Sequence, residues 1–190
     1  MTSRSRNRYI LAFGSNATAD LAFNTQLLKD ALRQINASAL RVEHVSRFHQ
    51  TPAFPAGAGP DFVNACAIAE GSVSATEALQ ILHDVEAEMG RVRTTRWGQR
   101  VIDIDLLAMG DAVLPDAPTW QYWRELPLDT QQRIAPDELI LPHPRLQDRG
   151  FVLVPMADVA PDWVHPMLGK SVSQMLAAID SEEIGAIKAI

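Results

Sequence analysis

Two aspartates, Asp103 and Asp105, stand two apart in the run VIDIDLLAM, directly after four arginines, Arg91, Arg93, Arg96 and Arg100, set in ten residues without an acid among them. Residues two apart on a strand share a face and lie roughly 7 Å apart along it, so the carboxylates point together while Ile102, Ile104 and Leu106 point the other way. Paired carboxylates can hold divalent cations about 3.5 to 4 Å apart, an arrangement suited to phosphoryl transfer. Four cations in one loop repel each other unless something strongly anionic meets them. A triphosphate does so, because the guanidinium fork matches phosphate oxygens and stays charged at any working pH. The stretch therefore points to Mg²⁺-nucleotide chemistry, with arginines neutralising phosphate and aspartates holding metal. Two plainer alternatives stay open on spacing alone: a half-exposed strand with an acidic outer face, and a solvated basic loop pairing with carboxylates elsewhere.

The rest of the chain limits what such a site can serve. A net charge of -6 argues against a general nucleic-acid or membrane-surface binder, since both need a positive field, so the basic site is local. With 190 residues, 47% of them hydrophobic, one well-filled domain is the expectation. Cys66 has no second cysteine to pair with, which excludes a disulfide framework and a cysteine-based zinc site and fits a reducing, cytoplasmic compartment. The basic N-terminal run MTSRSRNRYILAF has an apolar stretch of only about five residues, shorter than a signal-peptide core, and no run approaches a membrane span. HPMLGKS, residues 165–171, ends like a phosphate-binding P-loop, but Val164 stands where its first glycine belongs and no strand precedes it. A turn leading into a last helix is the expectation there.

The elements that must position the aspartates read as follows. Residues 1–8 are expected to be a disordered basic tail, and 9–190 a single domain. YILAFGSN is a buried strand ending in a turn, and 21–35 a helix with Leu21, Leu27, Leu28, Leu32 and Ile35 at helical spacing. A strand over 40–51 ends at Thr51-Pro52, and the Pro/Gly-rich segment 52–60 is a loop. The strand 61–72 pairs back as a hairpin. Ser74 and Glu77 form a capping box for the next helix, whose apolar face carries Leu79, Leu82, Val85 and Met89 and which Gly90 ends. The arginine loop and the aspartate strand follow. The insertion at about 111–138, rich in Pro, Asp and Trp, has no clear assignment; a strand over 151–154 and a short last helix over 171–179 complete the chain. The order suggests an α+β fold with a ferredoxin-like βαββαβ core, its mostly antiparallel sheet covered by helices in an α/β/α layering.

With these residues in view, the chain resembles the 6-hydroxymethyl-7,8-dihydropterin pyrophosphokinase family from about Ile10 to Gly169. FGSN is similar to the family's L-G-S-N strand end. TP at 51–52 followed by DFVNA is similar to its pterin-side segment. GRVR...RWGQRVIDIDLL resembles its signature G-R-x-R...R-W-G-P-R-x-x-D-x-D-x-L, and LPHPRLQDRGFVLVPMADVAP resembles its I-P-H-P...R-x-F-V-L-x-P-L-x-E-I-A-P block. The resemblance implies pyrophosphoryl transfer from ATP to a pterin alcohol with release of AMP, and two Mg²⁺ ions held by Asp103 and Asp105. It implies that Arg93, Arg96 and Arg100 face the triphosphate, with Glu86, His143 and Arg149 on the nucleotide side. For the pterin it implies stacking between Phe62 and Phe151, with Thr51, Pro52 and Asn64 at the ring edge and Phe54 and Trp97 closing over it. Aromatic faces suit a flat heterocycle, and an asparagine offers its edge both a donor and an acceptor. Gln99 replaces the motif's proline, His83 stands where glutamine is frequent, and the loop at 94–95 lacks a lysine that some members carry. The partners implied are ATP and the pterin alcohol, with no nucleic acid or membrane, and a monomer rather than an obligate oligomer. The alternative is a non-catalytic nucleotide or pterin binder on the same fold.

Overall fold

The computed structural model describes residues 6–53, 59–90, 101–127, 130 and 133–190. Its centre is strand β1, Asn7–Ser15, which starts two residues earlier than the sequence suggests and takes in Asn7 and Arg8. Tyr9, Leu11 and Phe13 enter one buried cluster, while Ile10 and Ala12 enter another on the opposite face. A strand covered on both faces reads as a continuous apolar run instead of an alternating one.

Helix α1, Leu21–Asn36, opens on Asp20, whose carboxylate accepts the N–H groups of Ala22 (2.9 Å) and Phe23 (3.3 Å). It turns Leu28, Ala31, Leu32 and Ile35 onto the first cluster. The strand expected over 40–51 is divided into β2, Arg41–Val45, and β3, His49–Thr51. Ser46 makes the break by exchanging hydrogen bonds with Cys66: its N–H donates to the Cys66 carbonyl, and its hydroxyl accepts the Cys66 N–H, both at 2.9 Å. Strand β4, Phe62–Gly71, pairs with β1 on one side and with β2 and β3 on the other. The expected hairpin is present.

The capping box of Ser74 and Glu77 starts α2, Ala75–Glu88, with Ser74 N–H to Glu77 Oε2 at 2.7 Å and Glu77 N–H to Ser74 Oγ at 3.2 Å. The aspartate strand is β5, Asp103–Met109, on the other side of β1. The sheet order is β5-β1-β4-β3, with β2 beside β4 as well, and every described pairing is antiparallel. Two β-α-β units, each spanning one intervening strand, give the split βαβ arrangement.

Within 111–138, Asp116 caps α3, Ala117–Glu125, accepting the Thr119 N–H at 2.8 Å. Trp120 from this helix is fully buried, and its Nε1 donates to the Pro142 carbonyl at 2.7 Å. Residues 151–154 are not a strand. They lie in α4, Gly150–Val159, whose Val152, Leu153 and Met156 close the second cluster over Ile10, Cys66, Ile68 and Leu107. This helix has the sheet on one side and α5, Val172–Leu176, on another, so it is apolar nearly all round and its sequence mimics a buried strand. With α1 and α2 on one face and α4 and α5 on the other, the layering is α/β/α. The GKS segment is a turn, with Gly169 at φ +63° and Val164 bridging to Ser171. The helix after it, α5, is not the last, because α6, Ser181–Gly185, and strand β6, Lys188–Ala189, follow. Among the described residues no helix is long and apolar enough to cross a membrane.

His165, in the loop before α5, is fully buried against the rings of Trp120 (5.1 Å between centroids) and Trp163 (5.5 Å). Burial, and secondarily the Arg124 cation, pull its pKa down to about 4. A histidine depressed in the fold takes up its proton more readily when unfolded. Its contribution to stability is therefore complete above about pH 6.5 and is lost as pH falls toward 4. The unfolding free energy measured in urea should rise between pH 4.5 and 6.5 at up to about 1.4 kcal/mol per pH unit from this group. Replacing His165 by glutamine should flatten that slope; an unchanged slope would show that other groups carry it.

Candidate active site

Strand register assembles the site on the α4 face of the sheet. Asp103 lies opposite Gly14, Gly14 opposite Asn64, and Asn64 opposite His49, so these residues form one row across four strands. Asp105 lies opposite Ala12 one step along, while Ile104 and Leu106 are buried with α1 and α2. Both carboxylates thus point away from the first core cluster, and both are partly exposed. At about 4.8 Å per strand, Asp103 and Asn64 stand roughly 10 Å apart with only a glycine between them. A Cβ on Gly14 would come within 3.0 Å of Asn64 Oδ1 and 3.8 Å of Phe62. Its absence leaves a floor of bare backbone between a carboxylate and an amide.

The amide side is fixed by Thr51, which is buried and whose Oγ1 accepts from Asn64 Nδ2 at 2.6 Å. That contact directs Oδ1 over the glycine floor, with Phe62 beside it. Thr51, opposite Phe62, shares the face, and Pro52 after it is exposed. Arg149 and Phe151 come from the start of α4, where the Arg149 guanidinium lies 5.7 Å from the Phe151 ring centre. The Cys66 thiol reaches the Val152 carbonyl at 3.6 Å, which seats this first helical turn two residues along β4 from Asn64.

His143 hangs beside β5, its N–H donating to the Leu107 carbonyl at 2.8 Å. Burial, then the neighbouring Arg149 cation, lower its pKa to about 3, so the imidazole is neutral. Its Nδ1 accepts the Arg145 N–H at 3.1 Å, which leaves the ring proton on Nε2 as a donor. Glu86 is placed differently. It is 1% exposed on α2, and its Oε1 accepts the Ile104 N–H at 2.7 Å. The carboxylate thus holds the backbone midway between the two aspartates. Phe54, Arg91, Arg93, Arg96, Trp97 and Arg100 lie outside the described residues.

Sequence reasoning missed the work of Ser15 and Asn16, both buried. Ser15 Oγ donates to the Val101 carbonyl at 2.7 Å, and Asn16 Nδ2 to the Pro60 carbonyl at 3.4 Å. They tie the end of β1 to the residue following the arginine segment and to the one closing the Pro/Gly segment. Gln50 Nε2, donating to Asp61 at 2.7 Å, joins the two sides of that segment again. The available signal was a pair of small polar residues at the end of an apolar strand, where buried polar groups must find partners.

Oxygen donors set along one edge strand, an amide two strands away and aromatic and cationic groups from the start of α4 lie on one face of the sheet, and the class the fold defines is an α+β sandwich. Comparison makes the class particular. The chain belongs to the 7,8-dihydro-6-hydroxymethylpterin-pyrophosphokinase (HPPK) family, whose model matches residues 10–161. It is 31% identical over 182 residues to the 2-amino-4-hydroxy-6-hydroxymethyldihydropteridine pyrophosphokinase of Methylorubrum extorquens, covering 95% of this chain and 99% of that one. To the Synechocystis protein of the same name it is 36% identical over 143 residues, 75% of this chain, and there it spans only 63% of the relative's length. Among solved structures, wild-type Plasmodium falciparum HPPK-DHPS with pterin and p-hydroxybenzoate superimposes with a TM-score of 0.65 at 13% identity. That match covers 93% of this chain and 44% of the other, and bears on the fold alone.

Proposed function

We propose that this protein transfers the pyrophosphoryl group of ATP to the hydroxyl of 6-hydroxymethyl-7,8-dihydropterin, releasing AMP, as a step of folate biosynthesis. The observation that carries this reading is the row Asp103, Gly14, Asn64, which sets carboxylates and an amide edge on one face with open backbone between them. The donor set fits Mg²⁺: it is all oxygen, partly exposed, and limited to two side chains, as for an ion that keeps its other positions for phosphate and water. Asp103 and Asp105 would hold two such ions, and bound Mg²⁺ would supply neutralisation of the phosphate charge that develops during transfer.

The pterin ring lies between Phe62 and Phe151, its amide-like edge read by Asn64 and Thr51 beside Pro52, with Phe54 and Trp97 over it. Arg93, Arg96, Arg100 and Arg149 face the triphosphate, and the neutral His143 donates from Nε2 to a phosphate oxygen. Glu86 serves the nucleotide side indirectly, by fixing the strand that carries the aspartates. The substrate hydroxyl attacks the β-phosphorus in line, the bond from that phosphorus to the α,β-bridging oxygen breaks, and the hydroxyl proton leaves to Asp105 or to solvent. Holding the two reactants in register and stabilising the developing phosphate charge together supply the effect, and excluding water removes the competing nucleophile. A cytoplasmic location fits Cys66, which is free and fully buried.

Incubation of the protein with Mg²⁺, ATP and the pterin alcohol, with nucleotides separated by chromatography, tests the assignment. AMP should appear in equal amount to the pterin pyrophosphate. Formation of ADP would sink pyrophosphoryl transfer, and tight binding of both substrates without turnover would favour the non-catalytic alternative.

A further inference from the structure

Helix α4 begins in an unusual way for one that carries site residues. Its capping position is Arg149, which makes no side-chain cap, and a cation at a helix N-terminus is disfavoured by the helix dipole. The acceptor that the first turn lacks arrives from elsewhere. The Gly150 N–H donates to Glu183 Oε1 at 2.7 Å, across 33 residues of sequence. A Cβ on Gly150 would lie 2.6 Å from that oxygen and 3.1 and 3.2 Å from Cδ and Cγ of the same side chain, so glycine is what lets it dock.

The segment supplying Glu183 is itself well anchored. Asp180 caps α6 by accepting the Glu182 N–H at 2.7 Å. Beyond α6, β6 pairs with β3 at Gln50 and His49, and the Ile190 N–H reaches the Phe48 carbonyl at 3.0 Å. One stretch of chain therefore contacts both α4, which carries Arg149 and Phe151, and β3, which carries Thr51. At its other end α4 is fastened by Asp158, which accepts from Arg47 Nη2 at 2.7 Å and Nε at 3.1 Å. All of 180–190 lies beyond residues 10–161, the span the family model matches.

We infer that Glu183 is a positioning residue for the substrate site: it accepts the first N–H of α4, next to a capping residue whose side chain accepts none, and so holds Arg149 and Phe151 in place at the start of α4. The inference rests on the pyrophosphokinase reading for what those two residues do.

The test compares full-length wild type with Glu183→Ala and Glu183→Gln, at a temperature where all three are folded. Without that acceptor both Arg149 and Phe151 are less firmly held, so Glu183→Ala should raise the KM values for ATP and for the pterin alcohol about fivefold, the order of one lost hydrogen bond, while kcat is little changed. Glu183→Gln keeps an acceptor oxygen and should restore most of the loss. A lowered Tm with both KM values at wild-type level would reduce Glu183 to a stabilising contact, and a glutamine variant as impaired as the alanine one would also overturn the inference. Amide exchange gives a second measurement independent of turnover. Residues 150–153 should exchange faster in Glu183→Ala, and unchanged exchange would refute the cap. Failure of the wild type itself to form AMP would instead count against the pyrophosphokinase reading, leaving the exchange result to decide the role of Glu183.

Discussion

Replacing Asp103 or Asp105 with asparagine should lower AMP formation by roughly 10²- to 10³-fold or more, because removing a charge preorganised for the transition state has effects of that order. The fold should survive the change. Both side chains are only partly buried, and the packing of β5 rests on Ile104, Leu106 and Leu107. The strand is held independently by the hydrogen bond from the Ile104 N–H to Glu86. Asparagine keeps shape and size while losing the charge. Melting temperatures should stay within about 2 °C of wild type, as for substitutions outside the core. Wild-type rates in both variants would mean that the acidic pair is a solvated strand face and nothing more.

A comparably large effect, on stability instead of chemistry, is expected at Trp120. It fills space beside His165 and donates to the Pro142 carbonyl, one residue before His143. Truncation to alanine should cost about 3–5 kcal/mol. For a domain of this size that lowers Tm by about 6–20 °C. Phenylalanine should recover part of the loss but leave the Pro142 carbonyl without its donor, a penalty of about 1–3 kcal/mol. Urea unfolding of the two variants measures both quantities. A midpoint for the alanine variant indistinguishable from wild type would show that α3 contributes no packing to the domain.

Asp103, Asp105 and Trp120 also mark the limits of legibility. Asp103 and Asp105 could be placed from sequence because strand alternation is a local rule, and the Ser74/Glu77 box and the β4 hairpin were legible for the same reason. Helix α4 was not: FVLVP carries no periodicity when a helix is covered on several sides, so burial erased the signal that separates it from a strand. The insertion 111–138 resisted assignment because α3 is fixed by one tryptophan reaching the 141–143 segment, a contact between residues 22 apart. The division of 40–51 at Ser46 depends on Cys66 in the partner strand, and no window along the chain contains both. Glu86 shows the same limit within the site. Its place in the motif suggested the nucleotide, and the hydrogen bond that its Oε1 accepts from the Ile104 N–H, 18 residues along the chain, could not be read there.

The glycine in the row Asp103, Gly14, Asn64 has a consequence for how the proposed substrate site can vary. Peptide groups line its floor, and their chemistry is the same whatever residues evolution or selection places along the strand. Any side chain at position 14 would crowd Asn64, so the floor cannot be decorated without disturbing the amide beside it. On the proposed reading, a ligand resting there would press against a surface with almost no mutational freedom. Discrimination between such ligands falls to the walls, and escape from a competitive inhibitor bound to the floor would have to come from them as well.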